Sequence, residues 1–181
     1  KIASLGLSRT FQNIRLFKEL SVLDNVKMAF HHKMTYGVAH AIIRLPGTKF
    51  WKEESEIDEK SKALLKLFKM EHLSEECAKN LPYGEQRKLE IARALATEPK
   101  ILLLDEPAAG MNPQETKDLM ETIKFIQEHF KVAILLIEHD MKLVMGICEQ
   151  IIVIDYGKVI AQGTPDEIKA NPKVIGAYLG G

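Results

Sequence analysis

Apolar positions along this chain follow two different rules. Between about residues 20 and 80 they recur at helical spacing. SVLDNVKMAF carries Ser21 and Asp24 three apart, a capping box that predicts a helix starting near Val22. In WKEESEIDEKSKALLKLFKM, the residues Ile57, Leu64, Leu65 and Phe68 share one helical face, with charges between them. MTYGVAHAIIRLPGTKF, between these two helices, is mixed, with Gly37, Pro46 and Gly47 as breakers. The pattern changes near Pro99. ILLL (101–104) and VAILLI (132–137) are short, wholly apolar runs, which predict strands buried on both faces. IIVID and KVIAQG flank Tyr156-Gly157 and predict two strands joined by a tight turn. Asn112-Pro113-x-Glu115 predicts a capped helix whose inner face is Leu119, Ile123, Ile126 and Phe130. Thr164-Pro165-x-Glu167 predicts another helix start. Strand and helix alternate, so the second part should be α/β with a mostly parallel sheet. No internal repeat or low-complexity tract interrupts the pattern.

In open parallel sheets, ligands bind at the carboxyl ends of the strands. ILLL ends in Asp105-Glu106, and VAILLI ends in Glu138-His139-Asp140. Both strands should deliver their polar groups to one edge.

Composition narrows the classes. The 181 residues are 46% apolar, enough for a sizeable core. Lys+Arg and Asp+Glu number 25 each, a balance that argues against general nucleic-acid binding. No apolar run approaches the roughly 18 residues that span a bilayer, so a membrane role would run through a partner. The opening KIASLGLSRTFQ has no long apolar stretch of a secretory leader. Cys77 and Cys148 have no metal or redox spacing and read as free thiols.

Several residues are candidates for chemistry. A carboxylate after a buried strand, as at Asp105, can hold Mg²⁺, usually with much of the ion's water retained. The adjacent Glu106 can polarise a water for attack on phosphorus. Each is equally a helix cap or a solvated turn. His139 can contact a phosphate or the attacking water, or cap the helix of DMKLVMGI. The other histidines, His31, His32, His40, His72 and His129, lie in polar or helical contexts with no assigned role. Gln12, in RTFQNIRLF, can ligate Mg²⁺ and touch water, or sit on the surface. LPYGEQ (81–86) bends into the helical run RKLEIARAL and can aim backbone N–H groups at an anion, or serve only as a loop. The phosphate-cradling pattern G-x-x-x-x-G-K-[ST] does not occur.

Order and spacing favour the functional readings together. Gln12, a helical insert, LPYGEQRKLEIARAL, ILLLDEP, AAGMNP and LLIEHD follow one another as in the ATP-binding subunits of ABC transporters, which the chain resembles along its whole length. By that resemblance Gln12 matches the Q-loop glutamine. Leu81, Pro82, Tyr83, Gly84 and Glu85, with Gln86 beside them, match the signature motif. Asp105 matches the Walker B aspartate, Glu106 the catalytic glutamate, Ala109–Asn112 the D-loop and His139 the switch histidine. RTFQNIRLF, LPYG, DEPAAGMNP and the ending NPKVIGAYLG are similar to the LivG-type ATPases of branched-chain amino-acid importers. The long insert around residues 31–60 is similar to that group too.

The resemblance implies a P-loop NTPase-like α/β fold, with an incomplete, mostly parallel sheet and an inserted α-helical subdomain. Its divisions would be 1–14 (end of the Q-loop core), 15–80 (helical subdomain), 81–98 (signature and its helix), 99–163 (Walker B, D-loop and switch core) and 164–181 (C-terminal helices). It implies ATP and Mg²⁺ as ligands, with Asp105 and Gln12 on the metal. Glu106, His139 and Gln12 would carry catalysis. Signature and Asn112 would contact ATP held by a second ATPase subunit, paired head to tail. Permease subunits would dock on the Q-loop and helical subdomain, at the cytoplasmic face of the plasma membrane. A separate binding protein outside the cell would deliver the amino acid, and no nucleic acid is involved. The family's phosphate loop would lie outside this chain, leaving these residues as a downstream part that binds ATP weakly alone. Rival readings are an ABC ATPase for another substrate, such as lipopolysaccharide export, an ABC-type ATPase of DNA repair or translation, and a non-enzymatic half-domain.

Three departures stand out within the resemblance, one of them Glu85 where the signature glutamine would be. Pro82 replaces the signature serine and offers neither hydroxyl nor N–H, so backbone and helix dipole must act there, the latter contributing up to about 2 kcal/mol. Asn112 replaces the usual D-loop aspartate.

Overall fold

The helical segments form where capping and periodicity place them. The computed structural model describes residues 5–30 and 49–179. Helix α1 (Val22–Phe30) starts where Ser21 Oγ accepts from the Asp24 amide at 3.0 Å. Helix α2 (Lys49–Leu67) buries Ile57, Leu64 and Leu65. Lys27 of α1 meets Asp58 of α2 at 3.0 Å. Two short 3₁₀ turns, Glu71–Leu73 and Ala78–Asn80, lead to α3 (Tyr83–Leu95). The predicted breakers Gly37, Pro46 and Gly47, and His31, His32 and His40, lie outside the described residues.

Three parallel strands follow the order β1 (Leu7–Arg9), β2 (Ile101–Asp105), β3 (Ala133–Ile137). Helix α4 (Pro113–His129) connects β2 to β3. Its Asn112 cap is a full capping box: Asn112 Oδ1 accepts from the Gln114 and Glu115 amides, and Glu115 accepts back from Asn112 N. Helix α5 (Met141–Ile147) follows β3, and β4 (Ile151–Asp155) and β5 (Lys158–Gly163) form a separate antiparallel hairpin. Tyr156 and Gly157 both have positive φ at its turn, +45° and +75°, which suits the twist of a tight hairpin. Helix α6 (Pro165–Ala170) has the Thr164 capping box expected of it, and a short turn α7 (Pro172–Val174) follows.

The strands are not buried on both faces. The register pairs Leu102 with Ile134 and Leu104 with Leu136, and both β2 residues are fully buried in the core with α3, α4 and α5. The alternate positions turn the other way: Ile101 is 41% exposed, Leu135 54% and Ile137 53%. Ile152, Ile154 and Val159 of the hairpin are bare as well. A continuous apolar run says that both faces avoid water, but not what covers each. Among the described residues, only one face of this sheet is covered.

Candidate functional site

Three chain segments converge at the carboxyl ends of β2 and β3. The first follows β1, where Thr10 N still donates to Leu103 O at 2.9 Å, so Gln12 leaves the sheet beside β2. The second is the end of β2. Glu106 takes a positive φ of +43°, uncommon for a residue with a Cβ, and its amide donates to Ile137 O at 2.9 Å. That bond ties the turn after β2 to the end of β3. The third segment is Glu138-His139-Asp140.

The side chains meet at Glu106. Gln12 Nε2 donates to Glu106 Oε2 at 2.6 Å. His139 Nδ1 lies 3.8 Å from Glu106 Oε1. The Glu106 side chain is 30% exposed and that of His139 72%, so both can reach a ligand at this edge. His139 does not cap α5: Asp140 does, accepting from the Lys142 and Leu143 amides at 2.8 and 3.1 Å. The imidazole is therefore not committed to that cap.

Asp105 points to the open face, where Arg9 Nη2 holds its Oδ2 at 2.5 Å. The strand register explains the pairing: Arg9 aligns with Leu103, two residues before Asp105 on the same face. Nothing in the sequence pattern singled out Arg9. Oδ1 of Asp105 has no partner among the described residues and can join the hydration shell of a hard cation. No group of three or more His, Cys, Asp or Glu side chains that could hold a metal occurs among the described residues. Asp105 and the Gln12 amide oxygen fit Mg²⁺ only in its usual mode, with water and substrate phosphate completing the shell.

Glu138 was legible only as a polar residue at a strand end. Its side chain is 1% exposed and accepts from three backbone amides: Ala108 at 2.9 Å, His139 at 3.0 Å and Asp140 at 3.4 Å. It ties the turn after Glu106 to the segment carrying His139.

The stretch 81–86 stands about one helix away, at the start of α3. Pro82 is the N-cap residue and makes no side-chain cap bond. The first-turn amides of Tyr83, Gly84 and Glu85 meet no acceptor among the described residues, which leaves an anion-ready helix end. Glu85 is drawn aside into an ion pair with Lys88 at 2.9 Å. Gln86 Nε2 donates to Leu81 O at 2.8 Å. Pro82, Gly84, Glu85 and Lys88 line one side of a cavity of about 160 Å³, with Met111, Glu115, Asp118 and Leu119 of the α4 start on the other. Asn112 stands beside it, but its side-chain oxygen is occupied by the α4 cap. The structure thus groups Gln12, Asp105, Glu106 and His139 at one edge, and 81–86 with Asn112 at another.

Comparison with known proteins identifies the family. Residues 1–109 match the family model described as ABC transporter, and residues 158–181 match that of the branched-chain amino acid ATP-binding cassette transporter. The high-affinity branched-chain amino acid transport ATP-binding protein LivG of Salmonella typhimurium is 48% identical over 180 residues, covering 99% of this chain and 70% of that protein. BraF of Pseudomonas aeruginosa, of the same description, is 46% identical at the same coverage. Among solved structures, the ADP conformation of an ATP-binding cassette of an ABC transporter superposes with a TM-score of 0.77 at 28% identity, over 100% of this chain and 72% of that one. A nucleotide-free ATP-binding cassette from an ABC transporter superposes at 0.75 with 26% identity, over 99% and 71%.

Proposed function

The chain belongs to the ABC transporter family of ATP-binding subunits, and we propose that it energises import of branched-chain amino acids by hydrolysing ATP. One observation carries the mechanism: Gln12, Glu106 and His139, from three separate segments, meet within 3.8 Å at one sheet edge. Glu106 polarises the attacking water. The left-handed turn at Glu106 holds its carboxylate out over the edge, and Gln12 fixes one of its oxygens. His139, free of the α5 cap, orients the γ-phosphate and that water. Asp105 and Gln12 would hold Mg²⁺, and a bound Mg²⁺ would supply neutralisation of developing phosphate charge. The unpaired amides at the start of α3 face the ATP bound by a second subunit, paired head to tail, with the helix dipole in place of the missing serine hydroxyl.

The subunit sits peripherally at the cytoplasmic face of the membrane, carried by its permease. No helix among the described residues is long and apolar enough to cross a bilayer. Phe17, 47% exposed five residues after Gln12, offers an apolar contact for permease helices. The substrate class rests on the relatives' names and the match at residues 158–181, since the amino acid itself binds to other subunits.

The test uses the full-length subunit assembled with its permease and binding protein in proteoliposomes. Leucine uptake driven by ATP is expected, and Glu106→Gln should lower ATP turnover by about 10²–10⁴-fold, the size of a general-base contribution. Near-normal turnover in that variant would remove Glu106 from its role. ATPase activity stimulated by a different substrate, with no amino-acid uptake, would overturn the substrate class.

A further inference from the structure

Arg87 is fully buried, yet nothing in the proposed chemistry uses it. Its guanidinium pairs with Glu90 at 2.6 Å on the same helix. It also donates to two backbone carbonyls of the segment after β1, Phe11 O at 2.8 Å and Gln12 O at 2.9 Å. Glu90, 3% exposed in its side chain, accepts from Arg15 N at 3.1 Å. The pair therefore grips residues 11–15 from the signature helix. Burying two charges is costly unless each is fully partnered, and here the partners lie on another segment. Among the described residues Arg87 Nε finds no acceptor, so they do not give the guanidinium a complete shell. Such a pair is a poor choice for stability alone.

The second arm runs through Tyr83. Its hydroxyl donates to Ala109 O at 2.9 Å, in the D-loop segment that follows Glu106. The same oxygen accepts from Arg87 Nη2 at 3.4 Å. A hydroxyl is one donor and two acceptor sites, so one atom can serve both partners.

We propose that Tyr83 and Arg87 are positioning residues: together they tie the signature helix to the Gln12 segment and to the D-loop. Gln12 holds Glu106 through its side chain while Arg87 holds Gln12 through its backbone carbonyl. A shift of the α3 start, as when a nucleotide is pressed against it, is then passed to Glu106 by two routes, through residues 11–12 and through Ala109. This inference rests on the ATPase reading above.

Two measurements on the full-length subunit in the assembled transporter test it. The first is amide hydrogen exchange, which needs no activity. Tyr83→Phe keeps the ring and removes only the hydroxyl, and Arg87→Lys keeps the charge but cannot span the four acceptors that Arg87 reaches. Both should speed exchange in peptides covering 11–15 and 108–112 by about five- to tenfold, with peptides from α4 and α5 unchanged. The second is ATP turnover. Tyr83→Phe should lower kcat about five- to twentyfold with KM for ATP within twofold of wild type. The double variant should lose more than Arg87→Lys alone, because the two changes break different routes to Glu106. Unchanged exchange at 108–112 in Tyr83→Phe overturns the inference whatever the protein hydrolyses. So does kcat within twofold of wild type, an effect on KM alone, or a double variant no worse than Arg87→Lys alone. Variants that show the predicted exchange pattern, in a complex whose wild type has no ATP turnover, would leave the connection standing and remove the ATPase reading instead.

Discussion

Replacing Glu138 with alanine tests whether the site is held by groups that no motif names. The carboxylate is buried and binds three amides, of which Ala108 and His139, at 2.9 and 3.0 Å, are well placed. A hydrogen bond to a charged group contributes about 1.5–3 kcal/mol, so two of them give about 3–6 kcal/mol. Water can reach His139, whose side chain is 72% exposed, and will recover part of that loss. The expected cost of Glu138→Ala is therefore about 2–4 kcal/mol. Glu138→Gln is sharper. Oε1 serves Ala108 while Oε2 serves His139 and Asp140, so a glutamine must turn its own N–H groups toward one donor set. It should still lose one charged bond, about 1.5–3 kcal/mol, despite equal size. Urea unfolding of the complete subunit would read these as a lower midpoint at unchanged slope. Turnover of the assembled transporter should fall about tenfold or more, since a misplacement of ~1 Å near a reacting centre can cost about 10²-fold. A stability change below about 0.5 kcal/mol, the range of ordinary surface substitutions, with normal turnover would refute the reasoning.

Other consequences follow from single contacts. Asn112→Ala removes the α4 cap and should cost about 0.5–2 kcal/mol in urea unfolding, with Asn112→Asp close to wild type. Lys62 and Lys27 flank Asp58 and hold its carboxyl below the usual range. Its stabilisation is thus complete above the ordinary aspartate pKa and lost as pH falls through the depressed one. Asp58→Asn should cost up to about 1 kcal/mol at neutral pH, as for a partly exposed pair, and the difference from wild type should vanish under strong acid. Burial raises the Cys148 thiol above its ordinary pKa, so iodoacetamide should label it more slowly than a free thiol at pH 8 and catch up only at higher pH. The bare apolar side chains of β3 (Leu135, Ile137) and of the hairpin (Ile152, Ile154) should make the 181 residues alone bind a hydrophobic dye, and a polar substitution at Leu135 should reduce that binding.

Local structure was largely legible in the chain because its causes are local. Ser21, Asn112 and Thr164 start helices through contacts three residues long, and all three helices begin where those contacts put them. Apolar periodicity chose the inner faces of α2 and α4 for the same reason. The meeting of Asp105-Glu106 with His139 at one edge also followed from sequence, since strand ends in a parallel sheet share an edge by construction.

What the order of residues could not supply was pairing across the chain. Whether ILLL and VAILLI have one covered face or two depends on elements far away in sequence, and the structure covers only the face of Leu102 and Leu104. Arg9 meets Asp105 through strand register, Glu138 gathers amides from both strand ends, and Arg87 reaches Phe11 and Gln12 across 76 and 75 positions. Each of these is a charged side chain whose partner is a backbone or carboxylate group brought near only by folding. By composition alone such residues look like solvated surface. The chain by itself determined its main helices, the strands β2 to β5 and the chemistry they end in, while β1 was not read from it. Tertiary structure decided which charges are buried, because burial and partnership exist only once distant segments are packed together.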